Sequence, residues 1–328
     1  MAKLLRTHWF LLAVVVLVAA FIVAMISPKF GSTYNIYAIL QAAATLAIIG
    51  MAQMMVLGVG DMNLSISGVG SLSSVIVGAF TQDLGVPVGI AIVTATAMGL
   101  LSGAITGYII TRTGIASFIV SLAMGGILTG IALGITQSKP YPDVARLLIT
   151  VGKGRFGLVP YVAIVAVIIA IIVAAFFKYA RMGRHMLAVG GNAEAASLSG
   201  IRPEASRTLA YAFSGALAAI AAVMYVGVLG TASPAIGSDW LLISFAVPII
   251  GGVSLFGGFV SVAGVLVGAV LLASVSNALI SLNVSQYAVR FTQGFLIFVA
   301  VVLGTIQYQG LKKMRGNRVA ERGEKANA

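Results

Sequence analysis

Residues 178–207 read KYARMGRHMLAVGGNAEAASLSGIRPEASR, the longest polar interruption in a chain that is otherwise a succession of apolar runs. Its charge is mainly positive: Lys178, Arg181, Arg184, Arg202 and Arg207 stand against Glu194 and Glu204. From Asn192 to Ser199 the residues suit two short helical turns. Asn192 can cap the start by accepting a backbone N–H, and Gly200 can end it in a conformation that a Cβ disfavours. Between those punctuation marks, Glu194-Ala195-Ala196 is slim enough to lie in a groove on another protein. With apolar runs on both sides, this loop is the most conspicuous handle by which something in the cytoplasm could grip the membrane part.

Composition sets the class. Of the 328 residues, 60% are hydrophobic and 9% charged, where a soluble domain carries about 25% charged residues; mean hydropathy is +1.08. A soluble fold is excluded. There is no cysteine, so neither a disulfide nor a Cys-based metal site is available. His8 and His185 are isolated from other ligand types, and no metal site is expected. A net charge of +12 would suit nucleic acid, but the basic residues lie in loops and a tail, where positive charge orients a membrane protein. No nucleic-acid partner is expected.

The fold class expected is all-α integral membrane, with about ten transmembrane helices in a single permease-like domain over 1–328. Residues 9–26 follow Lys3 and Arg6, and the run is longer than the ~7–15 residues of a secretory signal; it reads as a first span entering from the cytoplasm. Residues 34–57 return inward. The segment 58–70 then packs four glycines, Ser65, Ser67, Asn63 and Asp61 into thirteen residues before an apolar piece to Phe80 completes a short third span. Spans four and five are read at 87–110 and 114–135, followed by a polar outer loop at 136–157. Spans six and seven, 158–177 and 208–229, flank the opening loop. A short eighth span at 240–250, a turn at Gly251–Gly258, and spans at 260–280 and 289–306 complete the set. The tail at 309–328 is basic. With both termini cytoplasmic, 14 of the 20 Lys and Arg fall inside: Lys3, Arg6, Arg112, five in the central loop and six in the tail. This asymmetry favours that orientation over its reverse.

The third and eighth spans hold equivalent places in two sets of five, about 1–157 and 158–308. Five is odd, so the second set starts on the opposite side. That is an inverted repeat, the arrangement of transporters whose paths lie where interrupted helices meet near the midplane. Small residues at four-residue spacing (Gly99, Gly103 and Gly107; Gly126, Gly130 and Gly134; Gly264 and Gly268) are read as helix-packing faces, since without a Cβ facing backbones approach closely.

Five pieces then stand in a recognisable order: the segment from Gly58 to Ser65 ending Asn-Leu-Ser; TGIASFIVS at 113–121; Gly183-Arg184 with GGNAEAASLSGI at 190–201; the Gly251–Gly258 turn followed by Ser261-Val262; and Ser276-Asn277. Together, over nearly the whole chain, they resemble the permease subunits of bacterial ribose/xylose-type sugar ABC importers, a group similar to the branched-chain amino acid permeases. The resemblance implies a bacterial inner-membrane protein and a pair of such permeases, identical or not. It further implies a cytoplasmic ATPase that holds ATP and Mg²⁺, and a periplasmic solute-binding protein. Gly190, Asn192, Glu194, Ala195, Ala196, Ser199 and Gly200 then match the loop that docks in the ATPase as a coupling helix.

One departure matters. The family usually has Gly-Gly-x-Asp-Leu-Ser-x-Gly-Ser, whereas here Gly60-Asp61-Met62-Asn63-Leu64-Ser65 puts the carboxylate two places earlier and an amide in its usual position. The substrate path or gate is expected to involve Asp61, Asn63, Ser65, Phe118, Gly251 and Ser254. Asn63 could exchange hydrogen bonds with hydroxyls. Asp61, costing ~2.5–3.5 kcal/mol in hydrocarbon, either sits at the cytoplasmic end of the second span or lines a wet gate. Phe118 could plug a pore or stack on a sugar face, or simply pack against lipid or helix.

Enzyme chemistry finds no support. Gly152-Lys153 lacks the rest of a phosphate-binding loop, Gly58-x-Gly60 has no third glycine at 63, and no nucleophile–base pair or acidic pair stands out. No cofactor is expected in this chain, and the energy must come from a partner. The other class is an ion-coupled secondary transporter or channel, which should bury ionisable groups; apart from Asp61 the acids sit in loops or at helix ends. The expected solute is a monosaccharide, with nucleosides, sugar-derived signals and aliphatic amino acids as neighbouring choices.

Overall fold

The structure is a computed structural model that describes residues 32–142, 144–282, 284–285, 287–295 and 298. The expected first span, most of the tenth and the basic tail lie outside the described residues. Helix α1 (Thr33–Leu57) begins where Ser32 accepts the Asn35 N–H at 3.3 Å. Its 25 residues rise about 37 Å, enough to cross ~30 Å of hydrocarbon. It is followed by α2 (Ile66–Gln82), α3 (Val88–Thr113), α4 (Ser117–Thr136) and a short α5 (Arg146–Lys153). A small hairpin, β1 (Arg155–Phe156) and β2 (Val159–Pro160), leads into α6 (Tyr161–Tyr179), α7 (Arg181–Gly191) and α8 (Ala193–Leu198). Then come α9 (Pro203–Leu229), α10 (Trp240–Ile250) and α11 (Val262–Ser281), with further helical residues at 287–295.

Among the described residues six helices are long and apolar enough to cross a membrane: α1, α3, α4, α6, α9 and α11. The chain is thus an all-α, multi-pass membrane protein. The expected short spans are short: α2 has 17 residues and α10 has 11, the latter carrying Pro248. At 1.5 Å per residue α10 reaches only about half-way through the hydrocarbon. The chain then turns irregularly from Gly251 to Phe259.

Helices α1 and α9 form the buried centre. Around them the same pairings occur twice. Helix α9 lies along α3 as α1 lies along α11; α2 packs on α9 as α10 packs on α1; and α2 meets α3 as α10 meets α11. Glycines set the closest of these crossings. A Cβ on Gly103 would stand 2.1 Å from the Tyr211 carbonyl oxygen, and one on Gly264 would stand 1.9 Å from that of Gly251. The stripes Gly99–Gly103–Gly107 and Gly264–Gly268 therefore pack helices as expected.

The third stripe does not. Among the described residues no neighbouring atom lies within 4 Å of where a Cβ on Gly126, Gly130 or Gly134 would be. The buried seam of α4 runs through Val120, Ser121, Gly125, Leu128 and Ala132, so the neighbouring Gly125 makes the close approach, to Gly68 and the Leu64 carbonyl. Glycine spacing identifies a smooth face; it does not say which of two adjacent faces turns inward.

Other elements were not legible. The polar loop at 136–157 contains α5, whose Gly152 lies against Gly227 of α9 and accepts from Gln41 through its carbonyl at 2.8 Å. Helix α9 starts five residues before the apolar run, at Pro203, a residue suited to the first turn of a helix.

Candidate coupling and gating site

Four of the five motifs singled out in sequence converge at the end of the bundle that carries residues 178–207; Ser276-Asn277 lies elsewhere, on α11. Helix α1 stops at Gly58-Val59-Gly60, where Gly60 takes a φ of +82°. The next five residues are not helical, so their backbone groups need other partners in the absence of water. They find them on three helices. Tyr211 Oη of α9 donates to the Met62 carbonyl (2.8 Å), Leu64 N–H donates to Ser121 Oγ of α4 (3.1 Å), and Met62 N–H reaches Ser117 Oγ at 3.5 Å. Gln53 of α1 turns its amide so that nitrogen donates to the Asn63 carbonyl (2.8 Å) and oxygen accepts the Asn63 N–H (3.2 Å).

Asn63 completes this brace with its own side chain. Its Oδ1 accepts from the Ser65 N–H (3.0 Å) and Ser65 Oγ (2.7 Å), and its Nδ2 donates to Ser214 Oγ of α9 at 3.0 Å. Asn63 is 0% and Ser65 1% exposed. This corrects their expected place on the path: both are buried with their polar atoms engaged, and they hold the segment rather than face a solute. An amide suits the position because it must donate and accept at once, which a carboxylate cannot do.

Asp61 lies beside Arg207 in the first turns of α9, with Oδ2 and Nε 3.7 Å apart and side chains 12% and 37% exposed. Neither of those atoms makes a hydrogen bond. Asp61 therefore sits at the end of α1 nearest residues 178–207, where it is paired with Arg207. The pair ties the 58–65 segment to α9 just beyond the loop.

The loop itself is built as the sequence suggested. Asn192 Oδ1 accepts the Ala195 N–H at 3.0 Å, starting α8, and Gly200 ends it at φ +79°. Glu194, Ala195, Ser199 and Gly200 are exposed, whereas Ala196 is buried against the body. Leu198, which sequence reasoning passed over, is 92% exposed at the tip of the loop. Its signal was an apolar side chain among Ala, Ser and Gly.

What the sequence did not reveal is how this loop is attached. Gly190, near the end of α7, is pressed between the end of α1 and the turn after α10. A Cβ there would stand 2.0 Å from the Gly58 carbonyl oxygen and 2.6 Å from the Gly258 nitrogen. The Gly258 N–H donates to the Gly58 carbonyl at 3.1 Å, closing the joint. Gly257, at φ +85°, packs between the Gly190 carbonyl and the Gly60 nitrogen. Three glycine-rich segments distant in sequence thus meet backbone to backbone, where no side chain could be tolerated.

The remaining candidates are dispersed. Gly251 packs on Gly264, and Ser254 Oγ caps the turn by accepting the Phe256 N–H at 3.2 Å. Phe118 is 51% exposed on the outer face of α4, in register with Leu122 and the open glycine stripe. Two cavities, of about 370 and 220 Å³, lie toward the other end of the bundle, and none of the six path candidates lines them.

A multi-pass helical core with two short helices, one reaching only about half-way through the hydrocarbon, and a polar loop packed onto it is the architecture expected of a membrane permease. The chain belongs to the branched-chain amino acid transport system / permease component family, whose sequence profile matches residues 35–302. It is 31% identical to a ribose import permease protein of Haemophilus influenzae, over 92% of this chain and 94% of that one. It is 30% identical to a fructose import permease protein of Rhizobium meliloti (85% and 80% covered) and 26% identical to a xylose transport system permease protein of Haemophilus influenzae (92% and 96%). No solved structure matches the chain.

Proposed function

We propose that this chain is the transmembrane subunit of an ABC importer that carries a monosaccharide into the cytoplasm. A separate ATPase would drive it through α8. The observation that carries this reading is the Gly190 joint: α8 hangs from a point fixed at once to the end of α1, the 58–65 segment and the turn after α10. A push on the exposed face of Glu194, Ala195 and Leu198 is delivered to both interrupted regions together. Soft side-chain contacts would absorb such a displacement; backbone packed on backbone transmits it.

The solute class rests on the relatives, named as importers of ribose, fructose and xylose. In this reading the chain forms ten spans as two inverted halves, with the first span and the tenth completing the repeated pairings of α1–α3 and α9–α11. Both termini and the 178–207 loop are cytoplasmic. The partners are a cytoplasmic ATPase holding ATP and Mg²⁺, a periplasmic solute-binding protein, and a second permease copy or paralogue. The open face of α4 from Phe118 to Gly134 is a smooth surface on which that second copy could pack. The chain itself needs no cofactor. An ion-coupled carrier is the weaker reading, because among the described residues the one acid that is not exposed, Asp61, is already matched by Arg207.

The test is reconstitution of the chain with its ATPase and binding protein in liposomes, measuring ATP-dependent sugar uptake. Gly200→Val, or enlarging the exposed Ala195 to Leu, should abolish uptake while ATP hydrolysis persists. Space is open at Gly200, and the strain of a side chain at its φ of +79° falls on the exposed end of α8, so the membrane part should stay folded. Uptake without any ATPase, or unchanged uptake in these variants, would overturn the proposal.

A further inference from the structure

The smaller of the two cavities, about 220 Å³, is bounded by α1, α9, α10, α11 and the helical residues at 287–295. It lies toward the bundle end opposite α8. In a span region a polar side chain without a partner is costly, yet Thr45, Tyr225 and Asn277 line this one cavity, with the exposed Asp239, just before α10, at its edge. Among the described residues the Thr45 and Tyr225 hydroxyls and the Asp239 carboxylate make no hydrogen bond or ion pair. Asn277 uses only its Oδ1, which accepts from Ser281 at 3.4 Å, leaving its amide nitrogen free.

The neighbours contrast with these four. Ser276 Oγ donates to the Leu272 carbonyl (2.8 Å) and accepts from Gln293 Nε2 (2.9 Å), a completed rung that fixes the 287–295 residues against α11. Tyr225 is held edge-on to Trp240, ring centroids 6.1 Å apart at 86°. The wall is therefore positioned while its polar tips remain unspent. Ile49, Ile243 and Ile280 supply apolar surface between them.

We propose that this cavity is a binding subsite for a neutral polyhydroxylated solute, one sugar ring in size. A carboxylate and two hydroxyls can accept from sugar hydroxyls, the amide can donate, and the aliphatic walls match the C–H faces of a pyranose or furanose. The assignment rests on the monosaccharide reading above and adds to it a place within the membrane where the solute pauses. The weak, partly open character of the cavity suits a conduit that must release what it binds.

The chain has no cysteine, so a single Asn277→Cys substitution in the assembled importer gives a clean reporter. A small hydrophilic thiol reagent should label it, and D-ribose, D-fructose or D-xylose should slow that labelling, whereas L-leucine should not. Lys139→Cys, exposed in the 136–157 loop, should be labelled at a rate indifferent to all four. As a second measurement, Asp239→Asn should raise the KM for uptake about tenfold, the equivalent of about 1.4 kcal/mol, with binding-protein affinity and stimulated ATP hydrolysis unchanged. No labelling at Asn277→Cys, protection by leucine alone, or labelling untouched by every sugar would each overturn the subsite. If sugar protects but the intact importer shows no ATP-driven uptake, it is the transport reading that fails and the cavity that stands.

Discussion

The two ends of this helical bundle obey opposite rules. At the α8 end, glycine backbones from α1, α7 and the turn after α10 press together without side chains between them. The non-helical chain from Met62 to Ser65 has its polar atoms matched by Gln53, Ser117, Ser121, Tyr211 and Ser214. At the other end there are cavities, and hydroxyl, amide and carboxylate groups point into them without partners. A close-packed region whose non-helical backbone is hydrogen-bonded to its neighbours moves as a unit because any local distortion breaks many contacts. A partly satisfied cavity does the reverse, leaving binding capacity for something that is not part of the chain. The difference separates a region suited to transmitting force from one suited to holding a solute.

The sharpest way to break that contrast is at the joint. Gly190→Val should be the most damaging substitution, because its Cβ would collide with backbone that cannot rotate away. A loss of at least about 3 kcal/mol is expected, the upper range for overpacking. Thermal unfolding of the purified protein in detergent reads this, with Gly191→Val as the control: nothing lies within 4 Å of a Cβ at that position. Equal effects at the two glycines would remove the case for a rigid joint.

Next in size is Asn63→Ala. It strands Ser214 Oγ and the Ser65 N–H in a buried region, for which about 1–3 kcal/mol is expected. Asn63→Asp should be no better: the Ser214 hydroxyl can turn to donate to it, but a charged carboxylate would then be buried at a fully enclosed position. If Asn63→Asp instead proved neutral in stability, the brace would not depend on the amide.

Asp61→Asn should cost less than about 1 kcal/mol, because Arg207 is partly exposed and the pair is not hydrogen-bonded. The same substitution should make stability less sensitive to added salt. A loss comparable to that at Asn63 would mean that the ion pair, rather than the hydrogen-bonded brace, holds the 58–65 segment.

The smallest effect concerns the opposite end, where Tyr141 Oη donates to Asp83 Oδ2 at 2.6 Å. That bond, with lesser contributions from burial and the nearby carboxylate charge, pushes the phenol up to about 12. A raised value means the folded state holds the proton more tightly. Its stabilising contribution is complete below about pH 10, and is lost as pH rises through 12. Tyr141→Phe should lower stability by about 1 kcal/mol or less at neutral pH and flatten the decline across that window.

Much of this architecture was readable before any coordinates. The spans at 34–57 and 240–250 match α1 and α10 within a residue, because apolar runs ending at glycine or polar residues mark helix limits closely. The cap at Asn192 and the stop at Gly200 were legible because both depend on neighbours a few positions away. The amphipathic α5 and α7 were missed inside polar stretches, where loop composition outweighed their periodicity. Asn63 was misplaced for a different reason. An amide in an irregular membrane segment signals that something must satisfy it, but the sequence does not say whether the partner is a solute or Ser214, 151 positions away.

Sequence alone determined the class of this protein: nine-tenths uncharged, built of apolar runs of bilayer length, with one slim polar loop, it could only be a membrane bundle interrupted by that loop. Those features are fixed by composition and short-range order. Which glycine stripe turns inward, which polar groups are spent on the backbone and which are left open were decided by tertiary packing. Each depends on groups brought together from far apart in the chain, and no local pattern encodes that distance.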